Sequence, residues 1–384
     1  MNPVPAAAVR TALTEAVACG DLAVRIPDSI SVRRSRFSEL GDFATPVALT
    51  LAGEAGLSPW AVAAVLAGKL RTTAGISGVD ISGPGFVNIR LEAATAGTAG
   101  AVIGAVLAAG AAYGASEAAT DGTIEIDPGD LGLRPVPIAD ARRRIETAAL
   151  GRIARTQKIA VPSESGVDHR LSVDSPVSTV RAGAMSEPGP VLLIWKRRAQ
   201  SGAVRSNRVT VFGELGDAVG VDAARFALLR SPLRAGIELE VQVWAAQTCS
   251  SPVYRVRFAH ARLAALARSV RDLGISTAGN LPACDEHDPA LLDTPADTAL
   301  VLLIADYPHI LTAAARRTEP HPVVRYLEEL SAAAHAHLDT ARVLPTGDEP
   351  ATAGTFARIR LGAAVQQVLA NGLAVLDVSA PEQL

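Results

Sequence analysis

The sequence predicts an α+β multidomain protein: a small N-terminal α+β domain, a short α/β piece and a C-terminal all-α bundle. Three observations carry this. From about Ser251 to Leu384, apolar residues recur at helical spacing in four or five segments. Near the front, Val79 to Leu91 (VDISGPGFVNIRL) alternates like two short strands broken at Gly83-Pro84-Gly85. The chain has 384 residues, 49% of them hydrophobic, which is enough for two or three packed cores. The patterns divide it at residues 1–118, 119–215 and 216–384.

In chain order, Pro3 to Cys19 reads as a helix, followed by a basic strand-like stretch, SISVRRSRF. The segment GDFATPVALTLAGEAG reads as helical. Ser58-Pro59 caps and starts the next helix, through Leu70, because a serine oxygen accepts a first-turn N–H and proline needs none there. Ala93 to Ser116 carries no charge and is long enough to cross a bilayer. Its Ala, Gly and Thr content favours a buried helix near Gly100–Ala112 instead, and no membrane association is expected. PVPIADARRRIETAALGRIAR ends in a helix starting at Ala141-Arg142. Val161 to Pro190 is rich in Ser, Pro and Gly and reads mostly as loop.

The bundle opens with SPVYRVRFAHARLAALAR, where Val256, Ala259, Leu263 and Leu266 form one stripe. Two more amphipathic helices follow, separated by a turn at Glu319 to Pro322. The last helix carries Leu361, Val365, Val368, Leu369 and Leu373, with Gly372 as a breaker near its end.

Composition narrows the function. Three cysteines, Cys19, Cys249 and Cys284, are too scattered for a disulfide framework, and Glu15 and Asp21 interrupt any leader, so a cytoplasmic setting is expected. Cys284-Asp285-Glu286-His287 has ligand-like spacing but no second pair, so no metal is assigned. His335 and His337, two apart on a helix, cannot share one. Charge is uneven. Arg134 to Arg208 holds 14 basic and 6 acidic residues, whereas Arg271 to Leu384 holds 7 basic and 15 acidic. A polyanion would therefore favour the middle of the chain over its end.

Several motifs also carry a resemblance. Pro252-Val253-Tyr254, Phe258 to Arg262, Tyr307-Pro308, Pro322 to Leu327, Arg342-Val343-Leu344, Val368 to Leu373 and Pro381-Glu382 stand in the order of the arginyl-tRNA synthetase anticodon-binding domain. Gly41 to Thr45 and Gly83 to Leu91 resemble the N-terminal additional domain of the same family. The resemblance implies that Phe86 and Asn88 contact the tRNA elbow, by ring stacking and by edge recognition. Read from the residues alone, Phe86 is a core aromatic at a strand end.

Between the two ends the family has a few hundred residues of catalytic domain, and this chain has fewer than a hundred. The position of its His-x-Gly-His signature reads Pro137-Ile138-Ala139-Asp140. That of Lys-Met-Ser-Lys falls on Gln200, Ser201, Gly202 and Ala203. An apolar ring and a carboxylate do not stabilise a triphosphate. The reading is thus a catalytically inactive synthetase-like protein, not an enzyme and without cofactors, that binds tRNA. Its expected tRNA contacts are Phe86, Asn88, Arg142, Arg143, Arg144, Arg197, Arg198, Arg262 and Arg342. The alternatives are a module docking on another protein, such as an active synthetase or a biosynthetic enzyme, and an enzyme with a remodelled middle. Leu338 stands where the family commonly has an aromatic ring, which favours the protein-docking alternative.

Overall fold

The structure is a computed structural model and describes residues 5–27, 30, 32–34, 41, 43–73, 75–91, 96–115, 136–157, 188–195, 205–275, 291–292, 294–347 and 349–384. The chain forms two compact units that divide between Gly100 and Ala101. The second holds both the truncated middle and the C-terminal helices, which the sequence pattern separates at residue 215.

In the first unit, helix α1 (Pro5–Ala18) is followed by strands β1 (Arg33–Arg34) and β2 (Phe43–Thr45), then helices α2 (Val47–Ala55) and α3 (Pro59–Leu70). Strands β3 (Ile76–Ser82) and β4 (Phe86–Leu91) complete an antiparallel sheet of order β1-β2-β4-β3. Val9, Leu13, Leu51, Leu66 and Leu70 pack on Phe43, Val79, Val87 and Ile89 in one core. Each fully buried side chain of this size contributes about 2 kcal/mol.

The expected helix from Gly41 begins only at Val47. Thr45 precedes a proline, which disfavours helical torsions there, and its hydroxyl accepts from Val47 N at 3.2 Å. Gly41 (φ 143°) lies against β4, where a Cβ would sit 2.9 Å from Ile89 O. Ser58 caps α3 as expected, accepting from Ala61 N at 3.2 Å.

Helix α4 (Ala96–Ala109) runs across the division and ends in a 3-10 turn at Gly110–Ala112. It buries Ile103 and Val106 while Leu107 stays exposed, so it is an amphipathic surface helix. Helix α5 (Ile138–Thr156) starts three residues earlier than the sequence suggests. Its first turn is pinned by two bonds, Ile138 N to Thr210 O and Phe212 N to Val136 O, each 2.8 Å. Strands β5 (Val191–Trp195), β6 (Arg205–Arg208) and β7 (Ile237–Glu240) form a sheet of order β6-β5-β7. Its only parallel pair, among the described residues, is β5 with β7.

Helices α6 (Phe212–Val219), α7 (Val221–Leu229) and α8 (Val241–Trp244) lead into the bundle of α9 (Pro252–Asp272), α10 (Pro295–Arg317), α11 (His321–Thr340) and α12 (Ala353–Val375). Among the described residues, α10 is long and apolar enough to cross a membrane. Its Leu300, Val301, Leu303, Ile304 and Leu311 are spent on the bundle core.

Gly372 is not a breaker. Helix α12 continues through it, and a Cβ there would lie 2.5 Å from Leu327 Cδ2, so the glycine is the notch that lets α11 approach. Asp297 closes a capping box with Thr294 at the start of α10. Fully buried, it faces His337 Nδ1 at 3.2 Å and Arg358 Nε at 3.4 Å, joining α10, α11 and α12. Burial holds His337 below the usual imidazole range, against the pull of Asp297.

Candidate nucleic-acid interface

The residues expected to meet tRNA fall into different environments. The turn Gly83–Gly85 presses on the start of α3: Gly85 (φ 136°) would bring a Cβ to 2.9 Å from Pro59 O. Glycine is needed there because no side chain fits and the torsion is left-handed. Phe86 follows immediately and is 38% exposed, not a core aromatic. Leu57 and Trp60, on the same end of α3, are also exposed.

Alternation along β4 sends Val87 and Ile89 into the core and places Phe86, Asn88 and Arg90 on the other face. Asn88 is buried, contrary to a role in reading a base edge. Its Nδ2 donates to Ser82 Oγ at 2.8 Å and to Asp80 O at 3.5 Å, so the amide is used to tie the hairpin.

Arg142 is likewise withdrawn. It is 1% exposed, and its guanidinium donates to Gly189 O (3.0 Å), Ala235 O (2.8 Å) and Pro232 O (2.8 Å). The loop carbonyls around the β5–β7 sheet are its partners, and three of them take up its terminal nitrogens. Burial also lowers its pKa. On the next turn, Glu146 is pushed up to about 7 by burial, with Arg142 opposing and Glu319 adding to the shift. Arg143 is half-buried and pairs with Asp140 at 3.4 Å, whereas Arg144 is exposed. Arg197 and Arg198 lie outside the described residues, as do Gln200 to Ala203 and Cys284 to His287.

In the bundle, Arg262 bonds His335 Nδ1 (3.0 Å) and Asp339 Oδ1 (2.7 Å), with its guanidinium carbon 5.9 Å from the Phe258 ring centre. Tyr254 stacks on Phe258 at 5.5 Å, and His335 lies 5.6 Å from the same ring. Arg342 is exposed and paired with Glu349. Both bundle arginines are therefore engaged by carboxylates, in pairs exposed enough to be worth about 0–1 kcal/mol and open to exchange with a phosphate. No cluster of metal ligands occurs among the described residues.

Arg90 shares the Phe86 face and lies inside the Gly83 to Leu91 motif without being among the expected contacts, and Arg71 lines one cleft with it. The signal available in the sequence is the period of two that sets Arg90 on the face of Phe86.

Comparison with known proteins bears on both ends. Residues 256–384 match the family model for the DALR anticodon binding domain, and residues 6–91 match that for the arginyl tRNA synthetase N terminal domain. A curated relative, arginine–tRNA ligase of Frankia alni, is 29% identical over an alignment covering 98% of this chain and 99% of the relative. That alignment spans 551 positions, more than this chain has residues, so it opens long gaps here.

Among solved structures, the Thermus thermophilus arginyl-tRNA synthetase gives a TM-score of 0.52 at 16% identity, covering 100% of both chains. The Plasmodium falciparum enzyme gives 0.58 at 9% identity, covering 98% of each. At such identities the structures attest the fold. The expectation that the chain is not an enzyme is overturned: a named ligase aligned along nearly its whole length points to an enzyme. The missing signatures and the short middle misled because they weigh one part of the chain, whereas the alignment covers 98% of it.

Proposed function

The chain is an arginyl-tRNA synthetase-related protein with a tRNA-related role in translation, and from that premise we propose that it holds tRNA through the outer face of its N-terminal sheet and through its bundle. Phe86 carries the reading. A phenyl ring 38% exposed beside a rigid Gly-Pro-Gly turn is positioned to stack on an unpaired base. Arg143 and Arg144 near the start of α5, together with Arg197 and Arg198, supply charge to the phosphates. Arg262 and Arg342 exchange their carboxylate partners for phosphate when the bundle docks.

The test is fluorescence anisotropy of the full chain with an arginine tRNA transcript and with a random RNA of equal length. Tighter binding of the transcript, reduced by Phe86→Ala, is expected; equal binding of both RNAs would remove the reading. The relatives' printed name describes a ligase, and arginine-dependent ATP–pyrophosphate exchange against a no-enzyme control reads that chemistry in this chain.

The acidic excess from Arg271 to Leu384 supports a second reading for the bundle, docking on a basic surface of another protein. A protein that co-purifies with the full chain after ribonuclease treatment, and is lost when the bundle's acidic residues are neutralised, would favour it.

A further inference from the structure

At the far end of β4 from Phe86 lies an open cleft of about 360 Å³, lined by Arg71, Ser77, Gly78, Asp80 and Arg90 among others. We propose that it binds a backbone phosphate of the same RNA whose base stacks on Phe86. The proposal rests on that stacking reading and adds a second, ionic contact to it.

Four features support an anion of this kind. Two guanidiniums face one carboxylate, leaving a net positive cleft. Arg71, the residue that ends α3, is fixed by donation from Nη2 to Val79 O at 2.7 Å. A planar fork held in place loses little freedom on meeting a phosphate. The β3 register shifts between Ile76 and Gly78, and a Cβ at Gly78 would stand 3.4 Å from Arg90 Nη1. The bare glycine is thus the surface over which the Arg90 guanidinium lies.

Arg90 pairs with Asp80 at 3.6 Å, with both side chains about half exposed (45% and 59%). A doubly hydrogen-bonded phosphate is a stronger partner than such a pair. Spacing fits a single strand as well. Arg90 is four residue steps along β4 from Phe86, about 13 Å at 3.3 Å per step. A short unpaired loop of RNA spans that distance.

The test is a salt titration of full-chain binding to an arginine tRNA transcript. Arg90→Ala should flatten the plot of log affinity against log salt by about 0.7–0.9, the increment of one phosphate. Arg71→Lys, which keeps the charge, should retain the slope. Asp80→Asn removes the competing carboxylate and should tighten binding several-fold. It also serves as the readout if Arg90→Ala lowers the melting temperature.

Unchanged slope in Arg90→Ala and unchanged affinity in Asp80→Asn, with Phe86→Ala still weakening binding, would overturn the phosphate site and leave the stacking reading standing. If Phe86→Ala changes nothing and the transcript binds no better than random RNA, the stacking reading fails and takes the site with it. Stabilisation of the wild type, but not Arg90→Ala, by inorganic phosphate alone, with the tRNA slope unaffected, would make this a small-anion pocket and also overturn the proposal.

Discussion

Helix α5 and strand β4 look alike in the sequence, each offering polar or aromatic residues beside a recognisable motif, yet the fold uses them in opposite ways. Arg142 of α5 is turned inward as a tie for three main-chain carbonyls. Phe86 and Arg90 of β4 stand on the outer face of their sheet, partly open to solvent. The difference is set by unpaired carbonyls. Loop backbone around Gly189, Pro232 and Ala235 has acceptors to satisfy, and a guanidinium with five donors satisfies them in place of water. The β4 strand has its backbone bonds met by β2 and β3, and of its outer side chains Asn88 ties the hairpin, Arg90 pairs with Asp80 and the Phe86 ring stays partly open.

Breaking the inward side should have the largest effect. Arg142→Ala leaves three main-chain carbonyls of partly exposed loops without their buried donor, and the second unit should lose about 2–4 kcal/mol, from about 1–3 kcal/mol for each acceptor that water does not reach. Urea unfolding would show it as a lower midpoint, whereas an unchanged midpoint would mean that water replaces the guanidinium. On the outward side, Phe86→Ala should leave the midpoint unaltered. It should cost about 1–3 kcal/mol of RNA affinity, the usual worth of one stacked base. Anisotropy at several salt concentrations would check that the slope is preserved.

Legibility in the sequence follows the same division. Helical stripes marked α9 to α12 because their cores repeat at 3.6 residues, and the Gly-Pro-Gly turn marked the β3–β4 hairpin. The strand at Phe43–Thr45 was hidden, since three residues carry no period and a helix follows directly. Gly372 was mistaken for a stop because a sequence cannot say that Leu327 waits opposite it. Arg142, Asn88 and Arg144 are all polar residues near motifs, and only the packing of distant segments decides which of them keeps a free side chain. Enzyme character was misjudged from Pro137 to Asp140, from Gln200 to Ala203 and from a middle shorter than the family's catalytic domain.

Packing at that notch sharpens the contrast between interior and surface. Gly372→Ala should destabilise the bundle by about 1–3 kcal/mol through overpacking against Leu327, measured by thermal unfolding. Adding Leu327→Val should recover part of the loss.

The smallest effect concerns Glu146, one turn beyond Arg142. Its folded pKa of about 7 lies above the ordinary carboxylate value. The unfolded chain therefore releases this proton first as pH rises. Stability from this group is present below about pH 4.5, falls as pH rises through about 7 and is level above that. Glu146→Gln should gain about 1 kcal/mol over the wild type at pH 8 and flatten this part of the profile, allowing for partial exposure. His337 works in the opposite sense. Its lowered pKa means that its contribution is full above about pH 6.5 and is lost as pH falls below that value. The Glu146→Gln protein should therefore still lose stability on acidification.

Ultraviolet cross-linking of the full chain to an arginine tRNA transcript, with the linked peptides mapped by mass spectrometry, tests the contrast between the two regions most directly. The account predicts cross-links at Phe86 and its β4 neighbours and none at Arg142. Cross-links at Arg142, with the β4 peptide silent, would contradict it.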